Sequence, residues 1–369
     1  MAISSPWSRA AVLQLIALGQ TVHVVDFLPK ESAEGEYLSV SDEFQKESIR
    51  TFRQQISGLH LINVVGSSSI KYIAAVPAFR SILRSVTPDI VLTLYGGGFA
   101  ALAYLSLFRP YCVFVVGSDV LLASGLRKRL ARLSLNSASC VFANGRYLAE
   151  KAQKLSDKVK VKPLLLGLDI LKWNQSPQTL GTIRVVCSRG FLPVYNNEYI
   201  VHALALMPKE LPDFEVVFVS NGPQLGQVIA LADSMLPERI REKIHFLGGV
   251  DDDTLVNILE NSHVYVSVSR SDGTSISLLE ALSCGLYPVL SDIPQNREWI
   301  NADLKNGSLV SLDKPEMLAE ALSVAIRDAN TRKRAAMINR QSIEKLADSR
   351  KNIALLLAEM ENIHASRLS

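Results

Sequence analysis

The chain of 369 residues is 48% hydrophobic and 20% charged, with 20 Gly, 15 Pro and 4 Cys; that mixture excludes a disordered, collagen-like or low-complexity chain. At roughly 150 residues per domain, the length predicts two or three domains. The net charge of +3 divides unevenly: 19 basic against 11 acidic residues up to Leu168, then 20 against 25 from Asp169 onward, so a basic half that favours an anionic partner precedes an acidic one, unless both are chance patches of solvated charge.

Ser4 or Ser5 reads as an N-cap, Pro6 as the first helical residue and Gly19 as the stop after the Ala10 to Leu18 run. Only Met1, Ala2 and Ile3 remain where a Rossmann-like half needs its central first strand. Either these residues make a stunted strand or the chain starts downstream of its natural beginning. Arg9 and Gln14 interrupt the apolar stretch, so no signal peptide is expected.

Strands are predicted over Thr21 to Phe27, His60 to Val65, Ile90 to Leu94, Cys112 to Val116 and Cys140 to Ala143, with helical patterns between them. Ile90 to Phe108 is an uncharged run of 19 residues, but Gly96, Gly97 and Gly98 in its middle favour strand, turn and helix over a membrane span. Leu126 to Leu135 carries Arg127, Lys128, Arg129 and Arg132 opposite an apolar side, a pattern suited to an anionic membrane surface or simply to a solvated helix face.

Val161 to Gly181 has Pro163, Gly167, Pro177 and little periodicity, which marks a boundary near residue 168. Beyond it, strands are predicted over Ile183 to Ser188, Glu215 to Ser220, Lys243 to Leu247, His263 to Ser269 and Tyr287 to Ser291. From Lys314 the chain turns helical. The alternation predicts an α/β protein of two tandem doubly wound parallel sheets: 1–168, 169–345, and a terminal helix, 346–369, returning toward the first domain. Cys112, Cys140, Cys187 and Cys284 form no C-x-x-C pair and the six His are scattered, so a reducing, cytoplasmic compartment is expected and no structural metal. G-x-G-x-x-G and P-loop patterns are absent.

The most informative stretch is His263 to Glu298, HVYVSVSRSDGTSISLLEALSCGLYPVLSDIPQNRE. A strand leads into a loop with Asp272 and Gly273, and a helix is expected to start near Ser277 and stop at Gly285. The amides of its first turn and the helix dipole suit a phosphate, with Asp272 and Glu280 flanking as acceptors for sugar hydroxyls. Ser277 and Glu280 also spell a capping box, and Asp272-Gly273 an ordinary turn.

Asp272, Glu280, Ala281, Gly285, Pro288, Val289, Ser291 and Asp292 together resemble the signature of retaining glycosyltransferase family 4, within the GT-B fold of two Rossmann-like domains facing a cleft. Asn221-Gly222-Pro223 and Phe246-Leu247-Gly248-Gly249 are similar to second-domain landmarks of the family, and Val116-Gly117-Ser118-Asp119-Val120 to a G-S-D turn of the first.

The resemblance implies a retaining, metal-independent hexosyltransferase. It would move a sugar from a UDP- or GDP-linked donor to a saccharide or lipid-linked acceptor in surface polysaccharide or glycolipid synthesis, as a cytoplasmic or peripheral membrane protein without a bound cofactor. It assigns Asp272, Arg189 and Asp119 to catalysis, and Glu280, Gly190, Gly222, Gly273, Thr274, Ser275, Ile276 and Ser277 to the donor. Gly97, Gly98 and Ser118 fall to the acceptor or cleft. The sequence departs from the family where a Lys is usual five residues after Arg189; Val194 stands there, with Tyr195 next to it, and Val116 replaces a His. Arg189 alone, helix amides or another cation must compensate at the leaving diphosphate. These departures leave two alternatives, a catalytically silent GT-B partner subunit and a nucleotide-sugar epimerase. Nucleic-acid binding lacks aromatic interleaving.

Overall fold

The computed structural model describes residues 5–27, 43–64, 70–121, 124–175 and 181–368. The chain divides into two compact units, Met1–Leu166 with Ser349–Ser369, and Gly167–Asp348. The strands of both are parallel throughout.

In the first unit β1 (His23–Phe27) pairs with β2 (Gly58–Ile62), and β3 (Val91–Leu94), β4 (Tyr111–Val115), β5 (Cys140–Ala143) and β6 (Val161–Pro163) pair in that order. β4 is buried along its whole length because both its faces are covered. Val113 and Val115 join an apolar cluster with Ala100, Leu135 and Leu148, while Cys112 and Phe114 point into another with Leu15, Leu356 and Met360. Alternate residues of a strand face opposite sides, so a near-continuous apolar run is what a doubly covered parallel strand requires. The uncharged stretch Ile90 to Phe108 splits into β3 and the helix Gly98–Ser106; among the described residues no helix is long and apolar enough to cross a membrane.

The expected doubly wound first sheet differs in one respect: among the described residues it is two sheets, β1-β2 and β3-β4-β5-β6. A cavity of about 470 Å³ lies between them, lined by His23 and Val24 on one side and by Val91, Leu92 and Thr93 on the other. Inserting one strand there would give β2-β1-x-β3-β4, the order of a Rossmann half with its central strand in place. The helices Pro6–Ala17 and Ser349–Leu368 pack on one another in the same unit and contribute Ala11, Leu15 and Leu357 to the cavity wall. Ser5 caps the first of them and Gly19 follows its end at φ 84°.

In the second unit β7 (Ile183–Cys187), β8 (Phe214–Val219), β9 (Ile244–Gly248), β10 (Val264–Ser267), β11 (Tyr287–Ser291) and β12 (Ser308–Val310) form one sheet in the order β12-β11-β10-β7-β8-β9. Counted from β7 this is the order 3-2-1-4-5-6, whose direction reverses between β7 and β10. Val185, Val216, Val266 and Val289 pack against Ile200 and Leu204 of the helix Asn197–Ala205 and Leu318 and Leu322 of the helix Pro315–Arg327. β6 and β12, three residues each, are strands that the apolar periodicity did not predict.

Candidate active site

In an open parallel sheet, ligands bind outside the carboxyl ends of the strands where the order reverses. In the second unit that point lies between β7, which leads into Ser188 and Arg189, and β10, which leads into the loop carrying Asp272. Arg189 is 7% exposed. Its Nη1 donates to Ser275 Oγ and its Nη2 to Asp272 Oδ2, both at 2.5 Å, and its guanidinium carbon lies 4.0 Å from the Tyr195 ring centroid. Arg189 Nε and Ser188 Oγ are buried with no hydrogen-bond partner, an arrangement that leaves polar capacity at the mouth of the sheet.

The loop that bears Arg189 is held from below. Asn197 Nδ2 donates to the carbonyls of Arg189 and Gly190 at 3.3 and 3.1 Å, and Asn196 enters the following helix at φ 58°, a left-handed conformation that Asn adopts more readily than most residues. Gly190 has room for a side chain, its nearest neighbours being 3.6 Å from a notional Cβ. Gly222 has none: a Cβ there would sit 2.6 Å from the Phe191 carbonyl oxygen and 2.7 Å from its nitrogen. Its glycine is thus accounted for by backbone packing against Phe191.

The helix after the Asp272 loop is Ile276–Ser283, and its cap is Ser275, whose Oγ accepts from the Leu278 N–H at 3.3 Å. The start falls within one residue of the expected Ser277, but the cap at Ser275 corrects the capping box of Ser277 with Glu280. Ser277 Oγ instead donates to the Ser188 carbonyl at 3.3 Å, tying the helix to the end of β7. The sequence misleads here because Ser275 and Ser277 both precede an apolar run, and only one can hold the cap. The helix stops as expected, with Gly285 just past its end at φ 75°. Thr274 and Ser275 are buried, and the amides of Ile276 and Ser277 belong to the turn that has no intrahelical acceptors.

Burial pushes the Asp272 carboxyl above its usual range, against the pull of Arg189 and of the Gly273 N–H, which donates to Oδ1 at 2.9 Å. Glu280, half-buried on the second turn of the helix, is pushed up to about 7 by burial; Lys172 and Arg189 pull it down while Asp252 adds to the rise. Val194 is 36% exposed, and Tyr195 occupies the space beside Arg189. Tyr195 was named from the sequence only as the neighbour of Val194, and Asn197 not at all: contacts inside a short loop carry no periodic signal.

In the first unit, Gly97 caps the helix Gly98–Ser106, and a Cβ on Gly98 would meet the Tyr72 ring at 2.1 Å. Gly98 is therefore glycine because Tyr72 lies on it. Ser118 and Asp119 open the helix Ser118–Leu121; their side chains lie outside the described residues. Val116 joins the apolar cluster around Phe114 and Leu356.

Two Rossmann-like units, the second in 3-2-1-4-5-6 order with a cation and a helix N-terminus at its reversal, define a GT-B fold. Residues 172–342, most of the second unit, match the model of the family "Glycosyl transferases group 1", so the second unit is similar to that family's domain. It is 21% identical to the GDP-mannose:cellobiosyl-diphosphopolyprenol alpha-mannosyltransferase of Xanthomonas oryzae pv. oryzae over 289 residues, 75% of this chain and 70% of the relative. It is 33% identical over 112 residues to the D-rhamnosyltransferase WbpZ of Pseudomonas aeruginosa, a match covering 30% of this chain and 28% of that one. Among solved structures, Anabaena HepE in complex with UDP superposes with a TM-score of 0.70 at 18% identity, covering 85% of this chain and 89% of the other. The sucrose-phosphate synthase of Thermosynechococcus elongatus superposes at 0.78 and 14% identity, with 98% and 93% covered.

Proposed function

We propose that the protein is a retaining glycosyltransferase of family 4 that takes its sugar from a nucleoside diphosphate donor held at the switch point of the second unit. The observation that carries this reading is Arg189, buried between Ser275 and Asp272 at the mouth of β7 and β10 with its Nε unpartnered. Developing charge on the leaving diphosphate falls to Arg189 and to the amides of Ser275, Ile276 and Ser277, at a helix N-terminus that favours anions. Asp272, beside that anion position, takes hydroxyls of the transferred sugar, and the Glu280 carboxylate those of the ribose; both acceptors are strong when ionised. Gly190 and Gly273 let backbone approach the donor. The reading needs no protein nucleophile and no metal, the leaving phosphate taking the acceptor proton. It gives Asp119 and Ser118, with Gly97 and Gly98, to acceptor or sugar contacts of the first unit.

The activities of its relatives, an alpha-mannosyltransferase named for a cellobiosyl-diphosphopolyprenol and a D-rhamnosyltransferase, support a saccharide or lipid-linked acceptor in polysaccharide or glycolipid synthesis. The basic helix Gly125–Ser137, with Leu126 58% exposed beside Arg127, Lys128 and Arg129, suits a peripheral site on an anionic membrane from the cytoplasmic side. A catalytically silent partner subunit is the second reading, favoured by Val194 at the position where a Lys is usual, with Tyr195 rather than a second cation beside Arg189.

Calorimetric titration with UDP, GDP and ADP tests the first reading. One of the three binds, and Glu280→Ala weakens it well beyond any loss of stability. Failure of all three would sink the donor site. If a diphosphate binds but no nucleotide sugar of a panel is hydrolysed or transferred, the silent subunit is the better account.

A further inference from the structure

A nucleoside diphosphate brings about three negative charges to a site whose one buried cation is already spoken for. Arg189 donates to the Asp272 carboxylate, so the pair contributes little net charge, and Tyr195 beside it adds none. Helix amides supply only about half an elementary charge. The site is short of a cation.

Among the described residues of the second unit, the cations on the loops that follow the strands differ in how they are engaged. Arg297 grips Asp292 with two hydrogen bonds, at 2.6 and 2.9 Å. Arg270 is different. It lies on the same loop as Asp272, two residues before it. Its backbone N–H donates to the carbonyl of Val194 at 2.8 Å, which puts its Cα against the position where the usual Lys is missing. Its Nη2 donates to the neutral Asn196 Oδ1 at 2.8 Å, and among the described residues its only carboxylate contact is a loose one, 3.9 Å to Glu198. The side chain is 62% exposed. Asn196 precedes Asn197, which holds the carbonyls of Arg189 and Gly190, so Arg270 braces the loop that presents Arg189 while keeping donors of its own to spare.

We propose that Arg270 is the second cation of the donor site, a binding residue that reaches the diphosphate from the β10 side in place of the Lys absent at Val194. The proposal rests on the donor reading given above and deepens it by assigning the charge that reading lacks. A guanidinium presents a planar fork of donors that matches phosphate oxygens. Its close engagement is with an amide oxygen, and Glu198 at 3.9 Å cancels its charge only in part; an exposure of 62% keeps its desolvation cost low.

Calorimetric titration of the full chain with UDP, GDP and ADP, and then with the corresponding monophosphate of whichever binds, tests this. The wild type prefers the diphosphate. Arg270→Gln weakens diphosphate binding about tenfold, the loss typical of one charge-assisted hydrogen bond, and leaves the monophosphate affinity and the melting temperature unchanged. Arg270→Lys keeps most of the preference, and Lys333→Gln, an exposed cation elsewhere on the unit, keeps all of it. An unchanged diphosphate-to-monophosphate ratio in Arg270→Gln overturns the proposal while the donor site stands. Equal losses for both nucleotides assign Arg270 to loop integrity and overturn it too. A wild type that binds none of the three diphosphates overturns the donor site, and the proposal with it.

Discussion

Arg189 lies over the face of Tyr195, its guanidinium carbon 4.0 Å from the ring centroid. The stack is formed within one loop, six residues apart, and it fixes the plane of the guanidinium while Ser275 and Asp272 fix its edge. An arginine held on three sides loses little side-chain entropy when an anion arrives. Tyr195→Ala is therefore expected to weaken binding of a nucleoside diphosphate by roughly three- to tenfold, since a partly desolvated cation–π contact is worth ~1 kcal/mol. Tyr195→Phe keeps the ring and should bind as the wild type does. Calorimetry on the two variants decides; equal losses would assign the effect to the hydroxyl.

Glu280 gives a pH dependence with a definite sign. Its ordinary value is 4.5, and burial pushes it up to about 7 in the folded chain. Between those values the folded state holds a proton that the unfolded state has released, so stability falls as pH rises from 4.5 to 7 and levels off above. Glu280→Gln cannot titrate and should remove that part of the slope. Nucleotide affinity runs the other way, because a ribose hydroxyl donates to the carboxylate: binding strengthens as pH rises through 7. Urea unfolding and calorimetric titration across pH 5 to 8, wild type against Glu280→Gln, read both signs. Identical pH profiles for the two chains would remove Glu280 from the account.

Much of this was legible in the sequence, and the parts that were not have physical reasons. Ten strands stood out because buried parallel strands are short apolar runs. β6 and β12 did not, because three residues such as Val161–Pro163 carry no period. The arrangement of Rossmann units followed from alternating strands and helices, and the shortage of a central strand in the first half from the three residues left for it; that the gap falls between β1 and β3 needed the structure. At the site, Asp272 and Glu280 were noticed by their place around a helix start, and Arg189 by the family resemblance. The cap at Ser275 was assigned two residues too late because serines at 275 and 277 satisfy the same local pattern. The bracing of Arg270 by Asn196 spans 74 residues of sequence, a distance over which no local rule operates.

Gly222 separates two uses of a glycine. Had it been there to admit a nucleotide, alanine would cost binding and little stability. A notional Cβ instead meets the Phe191 backbone at 2.6 to 2.8 Å, and backbone cannot swing aside as a side chain can. Gly222→Ala should destabilise by about 1–3 kcal/mol, as overpacking typically does. Denaturant unfolding checks this, and Gly190→Ala, with 3.6 Å of clearance, should fall well below it. A stable Gly222→Ala chain with lost nucleotide affinity would reverse the assignment.

The cavity between β1 and β3 offers a test in the first unit. Its walls are the backbone edges of two sheets and apolar side chains including Ala11, Leu15, Phe79 and Leu83. Unfilled space forfeits the contacts that its lining atoms would make. Ala11 is 5% exposed on the helix Pro6–Ala17 and borders this space, so a longer apolar side chain at that position can extend into it. Ala11→Leu adds three carbons, worth ~0.8 kcal/mol each if buried without strain. With part of that lost to side-chain entropy, the expected gain is about 1–2 kcal/mol. Melting followed by circular dichroism should shift upward by a few degrees, a size in keeping with chains of this class. Ala103→Leu serves as the contrast: Ala103 is 2% exposed in a filled cluster beside Tyr111 and Val113, where added volume has nowhere to go and should lower the melting temperature. If both variants lose stability alike, the space beside Ala11 is not available to a side chain from that helix.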